Sequence, residues 1–199
     1  MTASVTDADV DRAAAAVREG GLVVYPTETV YGLGADALDP EAVERAFEVK
    51  GRPRDRPMSL GAPDVDAALD YVEATAREER FMRAFLPGPV TVVCAKREVV
   101  PDVLTGGRDR VGIRVPDHEV ALSLLERAAP VTATSANRSG HGSVRRVEDL
   151  DTGVRERVSV VLDAGETRGT ESTVVDVERG EVHRRGALAD RIEAWLAEQ

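Results

Sequence analysis

The chain has 199 residues, 42% hydrophobic and 31% charged, with one cysteine and a formal net charge of −10. That length suits a single domain able to bury roughly 70% of its unfolded surface. The lone Cys94 excludes a disulfide framework, multi-cysteine zinc sites and iron–sulfur clusters, and no apolar run approaches the roughly 20 residues of a membrane helix.

The opening stretch Met1 to Asp7 lacks the basic and apolar regions of a signal peptide, so a soluble cytoplasmic protein is expected. Thr6-Asp7-Ala8-Asp9 reads as a helix start, with Val10, Ala13, Ala14 and Val17 at helical spacing and Gly20-Gly21 as the stop. Leu22 to Tyr25 reads as a short buried strand closed by Pro26. Asp39-Pro40 supplies the cap and first residue of the next helix, which carries Val43, Ala46 and Phe47 on its apolar face. A third helical stretch is predicted over about 64–86, broken near Ala74-Thr75 and ending before Pro87-Gly88-Pro89. Val90 to Ala95 is the clearest strand, and Val111 to Val115 is another, leading into a helix from about Asp117 to Ala128. Pro130 to Thr134 is a strand running into a polar loop, Ser135 to Gly142. Strands near 158–163, 171–177 and 181–184 and a final helix from about Leu188 to Ala197 complete the pattern. Interleaved helices and strands predict an α/β or layered α+β fold. No repeat, low-complexity tract or linker divides the chain, so one domain over 1–199 is expected.

Acidic residues number 36 against 26 basic ones, and of the latter only Lys50 and Lys96 are lysine. Codon bias and salt adaptation explain this composition equally well. Two segments run against it: 50–56, Lys-Gly-Arg-Pro-Arg-Asp-Arg, and 138–147, which holds Arg138, Arg145 and Arg146 and no acid. An acidic chain is a poor general binder of nucleic-acid backbone, so direct tRNA binding is not favoured. Compact basic clusters suit a small, highly charged anion such as a nucleotide.

Three polar loops carry the chemistry. Pro26-Thr27-Glu28-Thr29-Val30-Tyr31-Gly32-Leu33-Gly34 sets two threonines and a carboxylate at a strand end, where open sheets bind ligands, although an ordinary turn would also explain it. In Lys50-Gly51-Arg52-Pro53, glycine ends a helix and proline forces Arg52 into extended geometry, so that both cations can point one way. A solvated helix terminus explains Lys50 alone but not the arginines that follow. In Thr134-Ser135-Ala136-Asn137-Arg138-Ser139-Gly140, Ser135 and Asn137 again alternate by two. They can serve as hydrogen-bonding groups for phosphate, ribose or carboxylate, or as turn residues.

These motifs occur in order with Pro-Gly-Pro-Val-Thr (87–91), Gly-Ile-Arg-Val-Pro (112–116), Ser172-Thr173-Val174-Val175-Asp176 and Arg184-Arg185-Gly186. In that order the chain resembles the YrdC-like family of threonylcarbamoyl-adenylate synthases, from about residue 6 to 190. The resemblance implies a YrdC/RibB-like twisted mixed sheet flanked by helices, with a concave ligand cavity. It implies an enzyme, a nucleotidyltransferase that joins ATP, L-threonine and bicarbonate or carbon dioxide into threonylcarbamoyl-AMP and pyrophosphate. The product would pass to a downstream threonylcarbamoyl-transferase machinery that modifies tRNA. The family's Lys-x-Arg and Ser-x-Asn tetrad maps onto Lys50, Arg52, Ser135 and Asn137. Lys50 and Arg52 would meet the triphosphate, and Ser135 and Asn137 a phosphate or carboxylate. Thr27 and Arg114, with Thr134 and Ser172 as weaker partners, are the residues expected at threonine. Arg54 is an added phosphate contact, and Arg184 or Arg185 closes over the nucleotide.

No organic cofactor and no protein-held metal are expected, and Mg²⁺ would arrive with ATP. His118 reads as structural, His141 has a chance of meeting phosphate, His183 has no evident partner, Cys94 reads as a buried hydrophobe and Trp195 as a core anchor. The chain departs from the family at Met58, where leucine is common, and at Arg185, where proline is common. It is expected to be the short form without a further C-terminal domain. Alternative readings are a double-stranded-RNA-binding module of the same fold and a carbamoyl-transfer domain.

Overall fold

Helix α1 (Asp7–Arg18) begins on a capping box: the Thr6 hydroxyl accepts from Asp9 N at 3.3 Å, and the Asp9 carboxylate accepts from Thr6 N at 2.9 Å. In this computed structural model, which describes residues 5–128 and 130–198, β1 (Val23–Tyr25) and β2 (Gly32–Gly34) follow, then α2 (Pro40–Lys50). Asp39 caps α2, and Gly51 ends it in the left-handed region at φ 57°. Next come β3 (Ser59–Gly61), α3 (Val65–Ala68), β4 (Val72–Glu73), α4 (Ala76–Phe85), β5 (Val90–Lys96) and α5 (Asp102–Thr105). The chain continues through β6 (Arg110–Arg114), α6 (Glu119–Ala128), β7 (Val131–Ser135), α7 (Thr152–Arg155) and β8 (Val160–Val161). It closes with β9 (Thr173–Asp176), β10 (Glu181–Arg184) and α8 (Ala189–Ala197).

The strands form one mixed sheet in the order β10-β9-β5-β6-β3-β7-β2-β1-β8, with β4 also paired to β5. The β5–β9, β3–β6 and β1–β8 pairs are parallel, and the other pairs are antiparallel. This is the twisted mixed sheet with flanking helices that the family resemblance implies.

Period-two alternation gives the sheet two unlike faces. Val90, Val92 and Cys94 of β5, Val111 and Ile113 of β6 and Leu60 of β3 are buried in a core with Phe47, Phe81 and Leu104 from the helices. Burial pushes the Cys94 thiol well above its ordinary value, as befits an inert core residue. Phe81, Phe85 and Trp195 stack at the rim of this core, with Phe81 and Trp195 edge-to-face at 5.0 Å. On the opposite face, α1 and α6 cover only the end near β1 and β7, around Val23, Tyr25 and Val131. Among the described residues, no helix covers the part of that face lined by Ser59, Thr91 and Gly112.

Three elements differ from the sequence expectation. The helix predicted over 64–86 divides into α3, β4 and α4, because Val72-Glu73 pairs with Lys96 and Ala95 of β5. The Gly32–Gly34 segment, read as a loop, is a strand between β1 and β7. A side chain at 32 would put its Cβ 2.8 Å from the Tyr25 ring, so glycine is what lets the aromatic lie across its neighbour. Ser59–Gly61 gave no periodic signal, being too short to show one.

A buried ion cluster ties the far end of the sheet to α4. The Arg110 guanidinium donates to Glu78 at 3.2 Å, Asp176 at 3.1 Å and Glu178 at 2.6 Å, while Glu78 and Asp176 are almost wholly buried. Removing the cation would leave the buried Glu78 without a counter-charge and Asp176 with only Arg179 at 3.8 Å. Arg110→Met is expected to cost about 3–5 kcal/mol of stability, read as a lower urea midpoint with an unchanged slope.

Candidate active site

The uncovered sheet face forms a cavity of about 850 Å³. Alternate residues supply it: Ser59 and Gly61 from β3, Thr91 and Val93 from β5, Gly112 and Arg114 from β6, and Ala133 and Ser135 from β7. The floor is built of small side chains. A Cβ at Gly112 would lie 2.6 Å from Ser59 Oγ and 2.9 Å from Thr91 Cγ2, so even one methyl there displaces its neighbours.

Lys50 is the last residue of α2, and its side chain is almost wholly buried beneath the loop after β7. Its Nζ donates to the carbonyls of Ser135 and Asn137, the latter at 2.6 Å, while Ser139 N donates back to the Lys50 carbonyl at 2.8 Å. The two motifs are thus bonded in both directions into one unit. Burial, then the neighbouring Arg52 charge, pulls the Lys50 ammonium down to about 7.

Arg52 lines the cavity, and its guanidinium donates only to carbonyls, Arg56 O at 2.8 Å and Pro57 O at 2.9 Å. Among the described residues it has no carboxylate partner. Burial, then the charges of Arg56 and Arg184, lowers its affinity for a proton, yet guanidinium remains cationic. Arg184, also at the cavity, donates to Ser172 O at 3.0 Å and Ser172 Oγ at 2.9 Å and pairs loosely with Glu171 at 3.4 Å. Ser172 Oγ lies 3.2 Å from Thr91 Oγ1. Two cations that repel each other beside free hydroxyls make a receptor for a polyanion.

At the other end, the Thr27 hydroxyl donates to Val30 O at 2.6 Å and accepts from Thr29 N and Val30 N. It lines the cavity, but its hydrogen bonds build the bend. Arg114 Nη2 donates to Glu28 Oε1 at 2.7 Å, and Nη1 donates to Gly88 O, with both side chains about nine-tenths buried.

Of the residues singled out from sequence, Thr27, Arg52, Arg114, Thr134, Ser135, Ser172 and Arg184 line this cavity. Lys50, Arg54 and Asn137 do not. Lys50 spends its ammonium on the loop carbonyls, so direct contact with a triphosphate is replaced by a supporting position. Arg54 turns outward to Glu44 at 2.7 Å and over the Phe47 ring at 5.1 Å. Asn137 was expected to alternate with Ser135, but the strand ends at Ser135 and its amide donates to the carbonyls of Arg138 and His141. Of the paired arginines, Arg184 faces the cavity, whereas Arg185 is held outside by Asp190 at 2.6 Å and by Glu193. His183 lines the cavity, and His118 is half-buried with its pKa lowered, first by burial. Sequence reading missed Tyr25, Ser59 and Gly112 as cavity residues; only strand parity could have found them, and β3 was not recognised. Among the described residues, no three His, Cys, Asp or Glu side chains converge as a metal site.

A concave sheet face with neighbouring arginines, hydroxyl groups and an Arg–Glu pair behind it is the site of an α/β protein whose hollow suits small charged ligands. The sequence profile of the Sua5/YciO/YrdC family, described as "Telomere recombination", matches residues 15–186, and the chain belongs to that family. It is 46% identical over 172 residues to a threonylcarbamoyl-AMP synthase of Pyrococcus abyssi, covering 83% of this chain and 49% of the relative. It therefore spans about half of that relative's length. A threonylcarbamoyl-AMP synthase of Xanthomonas campestris is 34% identical, with 88% of this chain and 97% of the relative covered. The crystal structure of P. abyssi Sua5 complexed with L-threonine superposes with a TM-score of 0.89 at 42% identity, over 98% of this chain and 59% of that one.

The Lys50 position has a consequence for stability. Its proton is held less tightly folded, at about 7, than in its ordinary state at 10.5. Between those values the unfolded chain carries more protons, so this residue's contribution to stability rises with pH. Urea midpoints of wild type and Lys50→Met, compared from pH 6 to 10, should diverge in favour of wild type above about pH 7.

Proposed function

We propose that this chain is a threonylcarbamoyl-AMP synthase, joining L-threonine, bicarbonate or carbon dioxide and ATP with release of pyrophosphate. The observation that carries this reading is the pair Arg52 and Arg184, mutually repelling and without a strong carboxylate partner, in a cavity that Arg114 also lines. The names of the Pyrococcus and Xanthomonas relatives and the threonine-bound Pyrococcus structure support it.

The threonine amine, in its neutral form, attacks carbon dioxide through its lone pair, and the nitrogen gives up a proton to solvent to leave an N-carboxylate. One of its oxygens attacks the α-phosphorus of ATP, and the bond from that phosphorus to the α–β bridging oxygen breaks, freeing pyrophosphate. Positioning and charge stabilisation are the main catalytic terms in such a displacement. Arg52 and Arg184 take the triphosphate and the developing negative charge. Ser135, Thr134 and Ser172 supply hydroxyl groups to phosphate or carboxylate oxygens, and Arg114 takes the threonine carboxylate. Lys50 and Asn137 act through the loop they hold, and Thr27 through the bend it closes. Mg²⁺ entering with ATP would be held chiefly by phosphate oxygens and shield their charge. On this reading one cytoplasmic domain suffices for the reaction, and the adenylate is consumed by a separate enzyme acting on tRNA.

Pyrophosphate release should require ATP, L-threonine and bicarbonate together; release without threonine would reject the assignment. Arg52→Ala should lower kcat about 10²–10³-fold, as removal of a transition-state donor does. Wild-type turnover in that variant would remove Arg52 from the site.

A further inference from the structure

Behind the cavity wall, two buried polar atoms have no hydrogen-bond partner among the described residues: Glu28 Oε2 and His118 Nδ1. Neither residue belongs to the cavity lining, and the reaction scheme above uses neither. Glu28, with a side chain 9% exposed, accepts from Arg114 Nη2 at 2.7 Å through Oε1. His118 follows Arg114 on the segment that leaves β6 through Pro116, and its carbonyl accepts from Leu122 N at 2.9 Å as α6 begins. The guanidinium and the imidazole are therefore carried by one short, anchored stretch of chain.

The charges acting on the ring show how it lies. Of three carboxylates that act on His118, Glu28 acts most strongly, ahead of Glu119 and Asp117 on either side of it in the chain. A residue remote in sequence outweighs two adjacent ones by being close in space. Burial opposes all three and holds the imidazole pKa below its ordinary value, so at neutral pH the ring is uncharged and has one N–H to place. A carboxylate oxygen only accepts, so the two unpartnered atoms satisfy each other when that proton is on Nδ1. With the proton on Nε2, two desolvated acceptors would face each other, an arrangement that buried polar groups avoid.

We infer that His118 is a positioning residue: its Nδ1–H donates to Glu28 Oε2, and the carboxylate anchored in this way sets the Arg114 guanidinium at the cavity wall. The inference rests on Arg114 taking the threonine carboxylate and adds what holds that arginine in place. Nη1 is fixed by Gly88 O, and Nη2 is fixed only as firmly as Glu28 itself. Without the imidazole, the carboxylate has one tethered oxygen and is free to turn about it, taking Nη2 with it.

Two measurements on the full chain test this. Long-range proton–nitrogen correlation spectra of wild type at neutral pH, once the signals of the three histidines are assigned, should show His118 protonated at Nδ1 and bare at Nε2. The opposite tautomer would overturn the inference, and this measurement requires no variant to fold. In pyrophosphate-release kinetics, His118→Phe keeps a ring of similar shape without the donor. It should raise the KM for threonine about tenfold and leave that for ATP within about twofold. His118→Asn, whose side-chain amide can donate from where Nδ1 stands, should bring the threonine KM back to within about threefold of wild type. Wild-type threonine KM in His118→Phe, an equal rise for both substrates, or an asparagine variant no better than phenylalanine would each overturn it. Absence of threonine-dependent turnover in wild type would strike the function assignment beneath it, while the position of the proton would still uphold or overturn the hydrogen bond.

Discussion

One ammonium group organises this molecule's chemistry. Lys50 sits under the loop that follows β7 and donates to two of its carbonyls, and the loop returns a bond to the Lys50 carbonyl. Segments 85 residues apart are thereby made one rigid corner. Arg52 projects from one side of that corner and Ser135 from the other. A buried cation is costly to desolvate, and the carbonyl dipoles offset only part of that cost, since burial pulls the ammonium down to about 7. The energy so committed goes into placing its neighbours rather than into touching a ligand.

The second organising constraint is what the sheet lacks. Helices α1 and α6 shield one end of the cavity face, and small side chains, Ser59, Gly61, Thr91, Gly112 and Ala133, make up much of its floor. Charge is placed around that floor by function. Arg52 and Arg184 stand together without strong neutralisation, Arg114 is matched by Glu28, and Arg110 is absorbed by three carboxylates. Three arginine environments thus coexist within one hollow: weakly neutralised, paired and structural. A strongly acidic exterior makes the weakly neutralised cations the exception that a polyanion would find.

Much of this was legible in the sequence, and the gaps have physical causes. Caps at Thr6 and Asp39, glycine at 51 and the run Val90 to Ala95 gave elements with nearly correct bounds, because each rests on local chemistry. The strands that were missed, β2, β3 and β4, are two or three residues long and exist only through their partners. The same divide separates the site residues. Type and spacing pointed to Arg52 and Ser135, and the family resemblance to Arg114 and Ser172, all of which line the cavity. Spacing misjudged Lys50, whose ammonium is drawn to carbonyls 85 and 87 residues away, and Asn137, whose amide turns to carbonyls of its own loop once the strand has ended. Arg54 lost its expected role to Glu44, ten residues back on α2, a competitor that no local pattern reveals.

The shaved floor around Gly112 has an evolutionary corollary. Because the Ser59 and Thr91 side chains already crowd the space a methyl group would need, the depth of the hollow at this point is set by glycine and those two neighbours together. Relatives preferring bulkier or leaner cargo cannot tune this wall by gradual enlargement there. They must remodel the rim, where loops are free to lengthen, and diversity in such proteins should accumulate along the margin while the centre stays bare.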